Sequence, residues 1–275
     1  MFSIRKYIYY LTIFIFTHTS ALAQINIREV GQDLFRDGIK LTQPGPVLSD
    51  VEKSAICAST LISGALVYKY DPYLERKILY QNNNKFRNNA LHALSKTAYW
   101  YGSSSTNVLY TGCIIGAGLL GTGLVTGDTQ HYKTARLLGK SAFFTFLITG
   151  ATKVLLGRER PEVDGSQGAF HFFETKHKYR SMPSGHTAAA FTFATVLAQS
   201  YDSYLVSIPA YTLAFCAGLE RIERRHHWIS DVIVGGTLGF YIGRTLVKEN
   251  KNENNSQNSP ASVSAKTLFR LSIPL

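Results

Sequence analysis

A histidine and an aspartate stand four residues apart in a polar segment late in the chain, where His227 precedes Asp231. On a helix this spacing puts both side chains on one face. A carboxylate that holds one imidazole nitrogen fixes the tautomer and leaves the other nitrogen free to attack an electrophile. The same segment begins at Arg221, whose planar guanidinium fits the oxygens of a phosphate. The pattern indicates a nucleophilic histidine beside an anion site.

Two other interpretations of this segment stay open at this point. Arg224, Arg225 and His226 fit a solvated basic loop, and His226 with His227 and Asp231 could hold a metal ion. The metal interpretation is weak, because no further cluster of ligands stands near these residues.

A second cluster reads Pro183-Ser184-Gly185-His186 and leads directly into an apolar segment. Ser184 is placed to cap a helix, whose free N-terminal N–H groups form a ready anion site. Gly185 lets the backbone come close to the anion. His186 then lies at the mouth of the site, able to give a proton to a leaving group. An ordinary cap with an incidental histidine fits this cluster equally well when it is taken alone.

A third cluster places Lys153 at the end of an apolar segment and Arg160-Pro161 seven residues later. Cations at such a position commonly reach toward a membrane interface, so this cluster is a weak signal by itself.

In chain order the clusters read K-x6-RP, PSGH and R-x5-H-x3-D. With these motifs the chain resembles the type 2 phosphatidic acid phosphatase (PAP2) family, whose superfamily also holds the vanadium haloperoxidases. The resemblance covers about residues 100–247. It implies an all-α membrane bundle, a metal-independent phosphatase and no cofactor.

The resemblance also implies a role for each matching position. His227 is the expected nucleophile, Asp231 the carboxylate that orients it, and His186 the group that protonates the leaving oxygen and then activates water. The remaining positions are expected to hold the phosphoryl oxygens: Lys153, Arg160, Ser184, the Gly185 backbone and Arg221.

One position departs from the family pattern. Glu220 stands just before Arg221, where the family usually has a small residue. A carboxylate that faced the site would oppose an anionic substrate. We therefore expect Glu220 to point outward or to pair with Arg224 or Arg225.

Five moderately apolar segments are predicted to be membrane helices, at 106–126, 135–157, 185–200, 203–220 and 231–247. Glycines four residues apart, at 112 and 116 and at 235, 239 and 243, let helix backbones approach closely. The same pattern fits core helices of a soluble all-α domain. The predicted fold is an all-α membrane bundle of about five to six transmembrane helices.

The segments before and after the predicted membrane helices have other sequence patterns. Residues 1–23 resemble a signal peptide, with Arg5 and Lys6 before a short apolar run and Ala21-Leu22-Ala23 at its end. An uncleaved first transmembrane anchor is the alternative, and whether the signal is cleaved stays open. The predicted division is this signal, an exported linker with interfacial helices at 24–105, a catalytic membrane domain at 106–247 and a polar C-terminal tail at 248–275. Within the tail, residues 248–265 are expected to be disordered. Whether the short apolar run 57–69 crosses the membrane stays open.

Composition narrows the choice of partner. The net charge is +11, yet no basic stripe lies on a polar domain, so nucleic acid is disfavoured. Cys57, Cys113 and Cys216 are isolated and form no metal or disulfide pattern.

Membrane topology follows from the number of spans. After a cleaved signal, five spans put the loops 158–184 and 221–230 together on the outer side, where their cations break the usual positive-inside bias.

We therefore expect a multi-pass bacterial inner-membrane phosphatase with its site facing the periplasm. Its expected partners are the membrane and a phosphorylated lipid, namely phosphatidic acid, phosphatidylglycerophosphate, undecaprenyl diphosphate or a lipid A phosphate. The alternatives are an exported soluble phosphatase for small esters, a vanadate-dependent haloperoxidase, and a non-catalytic lipid-binding or transport protein. The oligomeric state, the lipid, and hydrolysis versus phosphotransfer stay open.

Overall fold

The structure, a computed structural model, describes residues 27–42, 50–74, 80–81, 85–86, 89–99, 105–163, 166 and 168–257. These residues fall into two units, Met1–Gln43 and Pro44–Leu275. The first unit contributes one described helix, α1 (Ile27–Thr42), with an ion pair between Arg36 and Asp33. The predicted signal peptide lies outside the described residues.

The second unit is helical, as the sequence predicts. Two strands of two residues each, β1 (Tyr80–Gln81) and β2 (Lys85–Phe86), pair antiparallel. The helices are α2 (Asp50–Leu74), α3 (Asn89–Thr97), α4 (Ser105–Thr126), α5 (Thr129–Leu156), α6 (Gly185–Tyr201), α7 (Tyr204–Glu223) and α8 (Ile229–Gln257). Short 3₁₀ turns lie at Pro161–Val163 and His177–Tyr179 in the loop between α5 and α6.

Local chemistry explains where these helices begin and end. The Asp128 side chain accepts the Gln130 N–H at 2.8 Å and caps α5, and Gly157 ends it in the left-handed region at φ 58°. Ser184 and Ser203 cap α6 and α7 in the same way as Asp128. These caps fix the point at which each apolar helix gives way to a polar loop.

The five predicted apolar segments correspond to α4 to α8. Among the described residues, only α7 is long and apolar enough to span a membrane by length and composition, and Tyr110–Thr126 of α4 forms a shorter apolar helix. The predicted number of five to six spans stays a prediction.

Helix α6 forms the centre of the bundle and packs against α5, α7 and most extensively α8. The stripe Gly235, Gly239 and Gly243 of α8 makes this contact possible, because an added Cβ at these positions would meet the backbone of α6. The close approach predicted from the glycine spacing is thus confirmed for α8. In α4, Gly112 faces Phe193 of α6, whereas Gly116 has open space around its Cα.

Two helices outside the predicted catalytic domain pack on this core. Helix α2 lies against α8, and α3 lies against α7. The polar end of α8 departs from the sequence prediction, because residues 248–257 continue the helix instead of forming a disordered tail. Lys248, Glu249 and Lys251 are good helix formers, and Lys251 Nζ donates to the Gln199 carbonyl at 3.0 Å. Residues 258–275 lie outside the described part.

Candidate active site

A cavity of about 550 Å³ lies at the end of the bundle where α5 ends and α6 begins. Its wall includes six of the eight residues that the motifs single out: Lys153, Arg160, Gly185, His186, Arg221 and His227. The other two, Ser184 and Asp231, are fully buried and lie outside the cavity wall. Segments far apart in sequence thus meet around one space.

His227 lies in the turn between α7 and α8, and its side chain is 3% exposed. Its Nδ1 lies 3.8 Å from Oδ2 of Asp231, an ion-pair distance that is longer than a hydrogen bond. Burial lowers the pKa of His227 well below its usual value, and the charge of Lys153 lowers it further, while Asp231 opposes both effects. The imidazole is therefore neutral at neutral pH, as a nucleophile must be.

The Asp231 carboxylate is held by several donors. Oδ1 accepts from Arg158 Nη1 at 2.5 Å, while Oδ2 accepts from Ser181 Oγ at 2.5 Å and from the Trp228 N–H at 3.0 Å. Such a carboxylate has little freedom to rotate, so its position relative to His227 is fixed.

The start of α6 forms one wall of the site. Ser184 caps the helix, and its hydroxyl lies 2.8 Å from that of Thr187. The serine therefore shapes the helix start and does not present a free hydroxyl to the cavity. At Gly185, an added Cβ would meet Lys153 Cε at 3.6 Å and Thr149 Oγ1 at 3.8 Å, which are ordinary contacts. Packing within the protein thus does not require glycine here, and the predicted role of its backbone in binding an anion stays a prediction.

Two cations line the cavity opposite α6. Lys153 Nζ donates to the carbonyls of Arg180 at 2.7 Å and Ser181 at 3.3 Å, which anchors the chain before the PSGH motif. Arg160 Nη1 lies 3.4 Å from Glu162, and its buried Nε has no hydrogen-bond partner among the described residues. Arg160 thus keeps donor capacity for an anion in the cavity.

Arg221 and His186 meet across the cavity, with Nη1 and Nε2 3.4 Å apart. Glu220 is buried and bonds the other edge of the Arg221 guanidinium, and it also pairs with Arg224 Nε at 2.6 Å. The expected pairing with Arg224 is confirmed, whereas the outward orientation is wrong. Glu220 lies outside the cavity wall, and its negative charge is paired with Arg221 and Arg224.

Several functional positions have no counterpart in the motif analysis. Arg158 is fully buried and holds Asp231, and its only sequence signal is a second arginine two residues before Arg160. Asp71, which binds Arg158, stands far upstream in α2 and has no signal in the motifs. Long-range pairs of this kind cannot be found from spacing along the chain.

At the mouth of the cavity, Glu162 contacts two histidines and Arg160. It is hydrogen-bonded to His226, and its Oε1 lies 3.7 Å from Nδ1 of His177. Partial burial would raise the pKa of Glu162, but His226 and Arg160 outweigh that effect and lower it. Across the described residues, no group of three or more histidines, cysteines or carboxylates is arranged to hold a metal ion.

The far part of the cavity is apolar. Val108 of α4, Ala142 and Phe146 of α5, and Ala189 of α6 line it. Phe146 is 72% exposed, so this end reaches the side of the bundle between α4 and α5. The cavity joins a cationic end, which fits a phosphate, to an apolar end, which fits a hydrocarbon chain.

Comparison with known proteins identifies the region that carries the site. Residues 134–254 match the sequence model of the PAP2 superfamily. A lipid A 1-phosphatase of Porphyromonas gingivalis is 37% identical over 98 residues, which are 35% of this chain and 19% of that protein. The chain thus matches about a fifth of this curated relative. The predicted resemblance to the PAP2 family is thus confirmed for residues 134–254.

Two solved structures are similar to the chain. The crystal structure of Aquifex aeolicus LpxE covers 65% of this chain and 94% of its own, at 24% identity and a TM-score of 0.47. The first transmembrane PAP2 type phosphatidylglycerolphosphate phosphatase from Bacillus subtilis covers 72% of this chain and 95% of its own, at 20% identity and a TM-score of 0.46.

Proposed function

We propose that this chain, whose residues 134–254 match the PAP2 superfamily, is a membrane phosphatase that removes phosphate from a lipid through a phosphohistidine intermediate. The observation that carries the proposal is the cavity, with cations and His227 at one end and apolar side chains at the other. A small soluble ester has no hydrocarbon chain that could bind in the apolar end of the cavity.

In the first step, Nε2 of His227 attacks the phosphorus atom. The bond from phosphorus to the lipid oxygen breaks, and that oxygen takes a proton from His186. Lys153, Arg160 and Arg221 face the charge that spreads over the three phosphoryl oxygens, so the transition state gains more from them than the ground state does. Asp231 stabilises the positive charge that develops on the imidazole.

In the second step, His186 takes a proton from a water molecule, whose oxygen attacks the phosphorus. The bond from phosphorus to nitrogen breaks, inorganic phosphate leaves, and His227 returns to its neutral form. The cycle consumes one water and needs no further group.

Exposed apolar side chains support a membrane location. On the flanks of α4, α5 and α7, Ile114, Phe146, Leu205 and Ile208 are 71%, 72%, 88% and 64% exposed. Apolar surface of this extent is rare on soluble monomers and fits a lipid environment. We place the protein in a bacterial inner membrane with the site on the periplasmic side, which follows from the predicted signal peptide and the loops that carry the site.

The substrate is proposed to be a lipid phosphate. The relative named lipid A 1-phosphatase makes a phosphate of lipid A the first candidate to test. Phosphatidic acid, phosphatidylglycerophosphate and undecaprenyl diphosphate also carry a phosphate group on a lipid, and they are the other candidate substrates.

The proposal is tested by measuring phosphate release from these four lipids and from a soluble aryl phosphate, with the detergent-purified protein and its His227→Ala variant. We expect release from at least one lipid at a rate well above that from the aryl phosphate, and none in the variant. Release from the aryl phosphate alone would replace the lipid substrate by a small ester. Peroxide- and vanadate-dependent halide oxidation without phosphate release would assign the site to the haloperoxidase group.

A further inference from the structure

Asp71, on helix α2, reaches the site through a fully buried pair of charges. Its Oδ2 accepts from Arg158 Nη2 at 2.9 Å, and Arg158 Nη1 donates to Asp231 at 2.5 Å. Asp71, Arg158 and Asp231 are all 0% exposed. Helix α2 lies outside residues 134–254, so the family match does not include this carboxylate.

Ser230 closes the network. Its backbone N–H donates to Asp71 Oδ1 at 2.9 Å, its hydroxyl bonds the other Asp71 oxygen, and the same hydroxyl accepts from Arg158 Nη1 at 2.7 Å. Because Ser230 directly precedes Asp231, Asp71 holds the first turn of α8 as well as the arginine.

The charges in this network explain why two carboxylates share one guanidinium. If Arg158 paired with Asp231 alone, the two charges would cancel, and little negative potential would be left for His227. Because Asp71 also pairs with Arg158, the buried group of two carboxylates and one guanidinium has one net negative charge. In a poorly screened interior that charge favours the imidazolium that forms when His227 takes up the phosphoryl group.

We propose that Asp71 is a positioning residue for the nucleophile: it balances the charge of Arg158, so that Arg158 does not cancel the negative potential of Asp231 at His227. This inference rests on the proposed phosphohistidine mechanism. Asp71 does not touch the substrate, because it lies outside the cavity wall.

On the cavity side His227 faces Lys153 and Arg160, and the same cavity is lined by Arg180 and Arg221 and by the titratable groups His177, His186 and His226. On the other side lies Asp231, with Arg158 and Asp71 beyond it. Burial raises the pKa of the Asp71 carboxyl, and its bonds to Ser230 and Arg158 oppose that rise. Both Asp71 oxygens accept hydrogen bonds from groups that can only donate, the Ser230 N–H and Arg158 Nη2, which is the pattern of an ionised carboxylate.

The test compares Asp71→Asn, which keeps the shape and loses the charge, with Asp71→Glu, which keeps the charge and changes the length. For Asp71→Asn we expect kcat to fall by about tenfold to a hundredfold with little change in KM, as for groups that orient a catalytic ligand. Loss of a nearby negative charge lowers the pKa of His227, so the acid limb of kcat/KM should move down by roughly half a pH unit. Asp71→Glu should retain more activity and the parental acid limb.

Asp128→Asn supplies the matched control. Asp128 caps the opposite end of α5 and pairs with His131, so the same substitution there should leave kcat and the pH profile unchanged. Kinetic constants are taken per folded protein, from thermal unfolding in the same detergent.

The possible outcomes separate this inference from the proposed function. Phosphate release by the parent protein, together with Asp71→Asn kinetics equal to those of Asp128→Asn, would overturn the role of Asp71 and leave the function intact. A lower kcat with an unmoved acid limb, or Asp71→Asn more active than Asp71→Glu, would reduce Asp71 to a structural role and also overturn the proposal. No release by the parent protein would refute the function itself.

Discussion

The buried imidazole of His227 lies between cations on its cavity side and a carboxylate on the other. Lys153 and Arg160 favour the neutral ring before reaction, and Asp231 favours the charged ring after the phosphoryl group has been taken up. In the proposed mechanism the same cations neutralise the phosphate. One arrangement therefore suits both the free enzyme and the intermediate.

This arrangement predicts the pH dependence of the reaction. A nucleophilic imidazole must be neutral, and burial with Lys153 holds the pKa of His227 below its ordinary value of about 6.5. We expect the acid limb of kcat/KM to lie below pH ~6.5, because the ring stays neutral as the pH falls through that value. Initial rates across a pH series in detergent measure this limb. A limb at or above pH ~6.5 would contradict the electrostatic account of His227.

Among individual residues, the motifs are sufficient to predict six that line the cavity, since each motif has its own chemistry. The motifs do not predict Asp71, Arg158 and Ser230, because these residues are recognised only by hydrogen bonds between distant parts of the chain. The neighbouring Glu220 was recognised as a departure, but its bonds to Arg221 and Arg224 depend on burial that spacing cannot reveal.

The helices position these residues through one close contact. Helix α8 carries Asp231 in its first turn and packs its glycine stripe on α6, which carries Ser184 and Gly185 at its start. The Ser184 N–H donates to the Asp231 carbonyl at 2.9 Å, so the starts of the two helices are joined directly. The distance between the His227–Asp231 pair and the predicted anion site at the start of α6 thus depends on the contact between α6 and α8.

We predict that Gly239→Ala destabilises the protein although alanine is the better helix former. An added Cβ would overlap the Ala188 carbonyl of α6, and forcing a methyl group into a packed interface costs about 1–3 kcal/mol. Thermal unfolding in a fixed detergent measures the change in Tm. Gly116→Ala is the control, because nothing lies within 4 Å of its added Cβ, and it should leave Tm equal or slightly higher. Equal effects of the two substitutions would refute the close contact.

The helix boundaries show what local patterns can and cannot predict. The predicted segment 106–126 agrees with α4, because its apolar residues are continuous. Helix α5 begins at Thr129 instead of 135, since the Asp128 cap starts a polar turn that hydropathy does not register. Helix α2 was predicted only as the apolar run 57–69, because its ends are polar and its contact with α8 is a tertiary one.

For the molecule as a whole, the proposed mechanism takes the positive charge that meets the substrate from side chains. Lys153, Arg160 and Arg221 converge on one cavity from α5, the loop after it and α7. Two of them, Arg160 and Arg221, belong to the loops predicted to be outer, and a binding role there would account for their positive charge against the usual bias.

We predict that phosphate release is unaffected by excess EDTA, because these three cations supply the charge stabilisation that a metal ion would otherwise give. The measurement compares initial rates before and after chelation, with a control in which EDTA is saturated with Mg²⁺. Loss of activity that returns on addition of a divalent ion would contradict the mechanism.

The central claim is that the phosphoryl group passes through His227, and trapping the intermediate tests it most directly. The protein is mixed with a lipid labelled with ³²P in its phosphate, quenched in alkali within the first turnover and separated from the lipid. We predict a protein-bound label that is stable in base, is released in acid and is absent from His227→Ala. A label that persists in His227→Ala, or phosphate release with no bound label at any quench time, would contradict the claim.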